Sequence, residues 1–97
     1  MAGKYTYICY CSVSPEGNAA SADEWKEFFA KEDELAEKHG VEIAIRGTPF
    51  GVSESYVTVY KTDKYIDDLT AMIQEAGRSK YVSSARTVTV TPLIFSQ

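Results

Sequence analysis

The order of strand-like and helix-like segments narrows the possible folds of this chain more than any other feature. Segments rich in β-branched and aromatic residues lie at 4–13, 41–47, 55–61 and 85–95, and amphipathic helical segments lie at 21–39 and 64–76. The order is β-α-β-β-α-β. This order predicts an α+β domain, because two helices can cover only one face of a four-stranded sheet. Its four-stranded antiparallel sheet has both helices on one face and strands one and three in the centre.

The first helix has a distinct start, a distinct end and one carboxylate in an unexpected place. Ser21 and Glu24 have the spacing of a capping box, and Gly40 is suited to end the helix. The apolar stripe comprises Trp25, Phe28, Phe29, Leu35 and Ala36. Glu32 lies within this stripe, where an ionised carboxylate is costly unless it is paired. We therefore expect Glu32 to have a partner or to face a wet cavity, and Trp25 to be largely buried.

Length and charge limit the classes of partner. The 97 residues predict one domain spanning 1–97, and the formal net charge is −4, with ten basic and fourteen acidic residues. This balance argues against nucleic acid and membrane surfaces as partners. No apolar run approaches 18 residues, so we expect a cytoplasmic protein. RNA binding through strand aromatics stays an alternative that the charge disfavours.

Two cysteines lie close together in the first strand. Cys9 and Cys11 are two residues apart, so they point to the same side of a strand, at a separation poorly suited to a disulfide. The sequence offers no second pair or histidine cluster to complete a zinc site. We interpret them as small core residues in a reducing compartment, and we predict no metal and no cofactor.

The sheet face away from the helices should carry a mixed polar and aromatic surface. Strand alternation predicts there Ala44, Arg46, Tyr56, Thr58, Tyr60, Thr87, Thr89 and Thr91. This surface is too aromatic to stay bare and too polar for the core of a monomer. It therefore predicts a homodimer, to which the apolar tail at 93–95 could contribute, with a higher oligomer as the alternative.

Two segments resemble the ferredoxin-like proteins of the dimeric α+β barrel superfamily. They are GTPFGVSESYVTVYKTD, a glycine turn leading into a strand and a helix cap, and ARTVTVTPLIF, a last strand that alternates Thr and Val. They are similar to segments of GYD-type proteins, stress-responsive barrel proteins and the ligand-binding domains of Lrp-type regulators. The resemblance implies two sheets packed face to face and a small-molecule site between sheet and helices or at the subunit junction. Some members are cofactor-free monooxygenases or isomerases.

Four side chains are candidates for a ligand-binding site. Glu32 faces the sheet from the first helix, and strand alternation directs Arg86 and Tyr10 toward the same side. His39 lies on the same helix line as Glu32, although a histidine there also suits the carbonyl end of a helix. A carboxylate, a guanidinium and a phenol in an apolar cleft could bind a polar small molecule, or Glu32 could transfer protons as a catalytic residue. The simpler alternatives are a structural ion pair between Glu32 and Arg86 and an interaction module without a ligand.

Overall fold

The computed structural model describes residues 3–93. Its strands are β1 (Tyr5–Val13), β2 (Glu42–Gly47), β3 (Tyr56–Thr62) and β4 (Val82–Val90), and its helices are α1 (Pro15–Ala19), α2 (Ala22–Lys38) and α3 (Ile66–Glu75). A 3₁₀ turn at Arg78–Lys80 precedes β4. No helix in these residues has both the length and the apolar character needed to cross a bilayer.

The four strands form one antiparallel sheet in the order β2-β3-β1-β4. The predicted fold class and the central position of strands one and three are therefore confirmed. Between the first strand and the first predicted helix, Pro15–Ala19 forms a short additional helix whose first turn is capped by Ser14. The last strand begins at Val82 and its ladder ends before Pro92, as proline requires. Part of the predicted apolar tail, 94–95, lies outside the described residues.

The ends of α2 follow the sequence signals. The Ser21 hydroxyl accepts from the Glu24 N–H at 3.1 Å, and the Glu24 carboxylate accepts from the Ser21 N–H at 3.0 Å. Gly40 turns the chain with a φ of 73°, in the left-handed region that favours glycine. These interactions fix where α2 begins and ends, and therefore which of its side chains face the sheet.

The predicted assignment of strand faces was wrong for β1, β3 and β4. Tyr7, Cys9, Thr58 and Tyr60 are buried on the helix-facing side. The opposite side, the open face, carries Thr6, Ile8, Tyr10, Ile45, Val57, Val59, Arg86, Val88 and Val90. The open face is thus more aliphatic than the predicted Tyr- and Thr-rich surface, and the helix-facing side is more polar.

Hydrogen bonds explain why hydroxyl groups lie in the core. The Tyr7 hydroxyl donates to the Lys64 carbonyl at 2.8 Å, and the Thr62 hydroxyl donates to the Gly40 carbonyl at 3.2 Å. The Tyr60 hydroxyl donates to Glu32. A buried phenol or hydroxyl with such a partner avoids the desolvation cost that would otherwise send it to the surface.

A bulge in β2 turns Arg46 toward the helices. Ile43 pairs with Tyr60 and Ile45 pairs with Val59, so Ala44 is an extra residue on β2. The strand alternation is reversed beyond this point. Arg46 therefore lies beneath α2, whereas simple alternation from Ile43 had placed it on the open face.

Candidate ligand-binding cleft

Glu32 is buried and both of its oxygens are engaged. Its residue exposure is 2%. Oε1 accepts from Arg46 Nη2 at 2.7 Å, and Oε2 accepts from the Tyr60 hydroxyl at 3.1 Å. The expected need for a partner is met by Arg46, and the predicted ion pair with Arg86 was wrong. Both burial and the adjacent Glu32 charge raise the pKa of Tyr60, so the phenol remains the donor in this contact.

Arg46 connects Glu32 with the aromatic side chains of α2. Nη2 also donates to Asp33 Oδ1 at 2.8 Å, and Cζ lies 4.3 Å from the centre of the Phe29 ring. Burial alone would lower the pKa of Arg46, but the hydrogen bonds to Asp33 and Glu32 raise it above its usual value. Arg46 is therefore a fixed cation that supports one face of Phe29.

An aromatic cleft of about 340 Å³ lies where α1 and α2 meet the ends of β1 and β3. Its lining consists of Val13, Gly17, Asn18, Ala20, Trp25, Phe29, Ser55 and Tyr56. This volume is near the lower end of the range for small-molecule sites, and the mainly apolar lining with a few polar groups is typical of them. The helical spacing of Trp25 and Phe29 predicts them only as core residues. No local pattern in the sequence indicates that the segment 14–20 packs against them.

The aromatic rings that form the cleft hold one another in place. The ring centres of Trp25 lie 5.4 Å from Phe29 and 5.8 Å from Tyr56, and Phe29 lies 5.6 Å from Tyr56. The Trp25 indole donates to the Gly17 carbonyl at 2.9 Å. Trp25 is largely but not fully buried, as expected, and one side of its ring borders the cleft rather than the core.

A wider hollow of about 460 Å³ lies on the other side of Arg46, beside the edge strand β2. Asp33 and Glu37 border it, together with Val41 and Ile45. The smaller cleft differs from this hollow, because its wall contains three aromatic rings and no carboxylate. Glu32 lines neither cavity, but its partner Arg46 lines the wider hollow and contacts the Phe29 ring of the smaller cleft.

The other predicted site residues lie away from Glu32. Arg86 lies on the open face, where Nε donates to Glu54 Oε2 at 2.6 Å and the guanidinium stacks 4.2 Å from the Tyr10 ring centre. The expectation that Tyr10 and Arg86 converge with Glu32 was wrong. Both side chains lie on the open face, whereas Glu32 packs against the helix-facing side of the sheet. His39 is at the end of α2, with Nε2 3.8 Å from Glu75 Oε1 of α3. Ligand binding by Tyr10, His39 or Arg86 stays a prediction, as does proton transfer by Glu32.

Cys9 and Cys11 are buried side by side in the core, and both are free thiols. Their sulfurs are 3.8 Å apart, and Arg78 Nη1 donates to Cys9 Sγ at 3.2 Å. A hydrogen bond from Cys11, assisted by Thr87 and Arg78, lowers the pKa of Cys9 to about 6, despite its burial. The same contact with Cys9, together with burial, raises the pKa of Cys11. Across residues 3–93, no three His, Cys, Asp or Glu side chains gather as a metal site would require.

No protein-family model matches the chain, and no curated protein matches it. Solved structures do match. The chlorite dismutase-like protein TA0507 has a TM-score of 0.71 at 17% identity, over 96% of this chain and 45% of that chain. The transcriptional regulator NMB0573 from Neisseria meningitidis, solved in complex with L-Met, has a TM-score of 0.60 at 13% identity, over 93% of this chain and 51% of that chain.

A third match is similar in length to this chain. A dimeric ferredoxin-like protein of unknown function from Thermobifida fusca has a TM-score of 0.55 at 12% identity, over 91% of this chain and 90% of that chain. By contrast, the chain spans about half the length of TA0507 and NMB0573. All three identities are low, so the likeness concerns the fold. The chain therefore has a ferredoxin-like βαββαβ fold.

Proposed function

We propose that this protein binds an uncharged, planar, largely apolar small molecule in the aromatic cleft. The observation that carries the proposal is the lining itself: the Trp25, Phe29 and Tyr56 rings surround a cavity without a charged side chain. Aromatic walls favour flat ligands by stacking and edge contacts. Ser55 and Asn18 offer hydrogen bonds at the rim, which would orient a ligand hydroxyl or amide.

Glu32 supports this site as a positioning residue. It holds Arg46, Arg46 stacks on Phe29, and Phe29 forms part of the cleft wall. Because the carboxylate is buried and engaged at both oxygens, a role in orienting the wall requires no rearrangement. A role in proton transfer would require the contact with Arg46 or Tyr60 to open.

We further propose that the protein forms a homodimer through the open face. Val88 and Val90 are 42% and 45% exposed, and Ile45 is 61% exposed. These side chains border the half-buried Ile8, Val57 and Val59. A contiguous aliphatic sheet surface of this kind is unfavourable in water, and a second copy would cover it. The dimeric ferredoxin-like protein with a matching fold over 91% of this chain supports this arrangement.

The binding proposal is tested by calorimetric titration with 2-naphthol and with its charged counterpart 2-naphthoate. We expect 2-naphthol to bind at least about tenfold more tightly, because the cleft offers the carboxylate no cation. Phe29→Ala should weaken 2-naphthol binding by about tenfold or more. Phe50→Ala is the matched control, because Phe50 is 95% exposed and outside the lining. Equal binding of both probes, or an equal effect of both substitutions, would overturn the proposal.

A further inference from the structure

Arg78 differs from the other arginines of the described chain in its partners. Arg46 is paired with Glu32 and Asp33, and Arg86 is paired with Glu54. Within residues 3–93, no carboxylate lies within 4.0 Å of the Arg78 guanidinium. Its recorded side-chain partner is the Cys9 sulfur, 3.2 Å from Nη1. Arg78 is thus a half-buried cation, and no carboxylate of residues 3–93 occupies its several donors.

The Arg78 side chain borders a groove of about 190 Å³ between the end of α3 and the start of β4. We call this the Arg78 groove, and its lining consists of Gln74, Arg78, Ser79, Val82, Ser83, Ser84 and Ala85. Arg78 is the charged residue of this lining, and no acidic residue is among its members. The Ser83 hydroxyl already donates to the Ser12 carbonyl at 3.2 Å, whereas Gln74 and Ser79 have no such recorded bond in the described part of the chain. The groove therefore has a cation and no carboxylate, in a chain with a formal net charge of −4.

The fold leaves this groove open. Gly77 turns the chain at the end of α3 with a φ of 84°, and the 3₁₀ turn that follows carries Arg78 toward the sheet. β4 is an edge strand, and every residue from 83 to 90 is exposed, so α3 does not cover it. The groove has room for several water molecules, since one water occupies about 30 Å³ in the liquid. A tetrahedral oxyanion also fits this space.

We propose that the Arg78 groove binds a small tetrahedral oxyanion, either free or as the phosphate or sulfate group of a larger molecule. Arg78 supplies the charge and a planar set of N–H donors, which match the oxygens of such a group. The hydroxyl of Ser79 and the amide of Gln74 supply further donors at the rim. The site is separate from the aromatic cleft and does not depend on the function proposed for it.

Two other roles for Arg78 make different predictions. If the Cys9 thiolate is its complete counter-ion, an added oxyanion finds no free charge in the groove. If Arg78 only complements the carbonyl end of α3, its replacement changes stability and leaves any oxyanion response intact. Binding of an oxyanion that depends on Arg78 distinguishes the proposal from both.

The test is a sulfate titration followed by amide resonances of ¹⁵N-labelled protein, with sodium chloride keeping the ionic strength constant. Sulfate is a suitable probe because its charge does not change near neutral pH. We expect saturable shifts at Ser79, Ser83 and Ser84, and at least about tenfold weaker binding in Arg78→Met. Lys26→Met is the control, because Lys26 is an exposed cation of α2 outside the lining of the groove, and this variant should bind sulfate as the wild type does.

Further arms keep the test decisive. Titrations with phosphate and glycerol 3-phosphate distinguish a free ion from the group of a larger molecule. If Arg78→Met does not fold, Arg78→Lys replaces it and should bind sulfate more weakly than the wild type, because lysine lacks the planar set of donors. The proposal is overturned if sulfate produces no saturable shift up to about 100 mM. It is equally overturned if the shifts lie outside the groove, or if the arginine variant binds as tightly as the wild type.

Discussion

Arg46 Nη2 lies 2.7 Å from Glu32 Oε1, and this contact joins the edge strand β2 to the middle of α2. It exists because the bulge at Ala44 turns Arg46 under the helix. Burial of either charge alone would be costly, and here the carboxylate and the guanidinium are each other's counter-ion. The contact also places Arg46 against Phe29, so the geometry of the aromatic cleft depends on it.

The first prediction concerns the loss of the Glu32 charge. Glu32→Gln should lower the free energy of unfolding by about 2–4 kcal/mol, because Arg46 would lose its buried counter-ion and keep only Asp33. Urea unfolding monitored by circular dichroism measures this change. Glu34→Gln, at an exposed position of the same helix, should change stability by no more than about 0.5 kcal/mol. A stable Glu32→Gln variant that lost turnover of a substrate would instead support the predicted role of Glu32 in proton transfer.

The second prediction separates the packing of Trp25 from its hydrogen bond. Trp25→Ala should destabilise the fold by about 3 kcal/mol, because the ring packs against Phe28, Phe29, Tyr56 and Tyr81. Trp25→Phe keeps much of the packing and should cost about 1 kcal/mol, mainly the bond to the Gly17 carbonyl. Unfolding midpoints that are the same for both variants would show that the ring does not support the fold.

The third prediction is a pH dependence that comes from Cys9. Its pKa is lowered to about 6 in the folded protein, whereas a thiol in the unfolded chain titrates near about 8.5. Between about pH 6 and 8 the unfolded state therefore binds more protons, so stability rises with pH and is lost as pH falls toward 6. The groups that face this thiol are Cys11 from β1, Arg78 from the 3₁₀ turn, Thr87 from β4 and Tyr60 from β3.

Urea unfolding of wild type and Cys9→Ser at several pH values measures this effect. The difference in unfolding free energy between the two proteins should grow in favour of the wild type from pH 6 to 8. The subtraction removes most contributions that the remaining ionisable groups make to both proteins. A difference that stays constant or falls over this interval would show that Cys9 is a protonated thiol in the folded state.

The fourth prediction concerns the open face. Val88→Asp should convert a dimer into a monomer in sedimentation experiments, because a charge would be buried at the aliphatic interface. Val88 is already 42% exposed in the isolated chain, so the variant should still fold. Thr89→Asp is the control, because Thr89 pairs with Tyr7 and points to the opposite side of the same strand. A wild-type protein that sediments as a monomer at micromolar concentration would reject the interface.

The fold was largely predictable from the sequence because its signals are local. The Ser21–Glu24 capping box, the glycines at helix ends and the β-branched strand segments each depend on a few neighbouring residues. The burial of Glu32 was also predictable, since its spacing from Phe28 and Leu35 alone places it in the apolar stripe. These features require no knowledge of what packs against them.

The site was much less predictable because it depends on long-range contacts. No sequence signal near Ala44 predicts a bulge, so strand alternation places Arg46 on the wrong side of the sheet. Arg86 is then the arginine predicted to pair with Glu32. Tyr7 and Tyr60 could have faced either side, because the hydrogen-bond acceptors that allow their burial come from distant segments. The aromatic cleft requires the meeting of α1, α2 and β3, which no local pattern shows.

The indole N–H resonance of Trp25 tests the central claim most directly, because the chain contains a single tryptophan and its ring borders the aromatic cleft. In ¹⁵N-labelled protein this proton gives one signal, which a titration with 2-naphthol can follow. We predict a saturable shift of the Trp25 indole signal together with the amides of Asn18 and Ser55. A probe that bound while leaving the indole signal unchanged, with its shifts confined to the open face or the Arg78 groove, would contradict the assignment of the cleft.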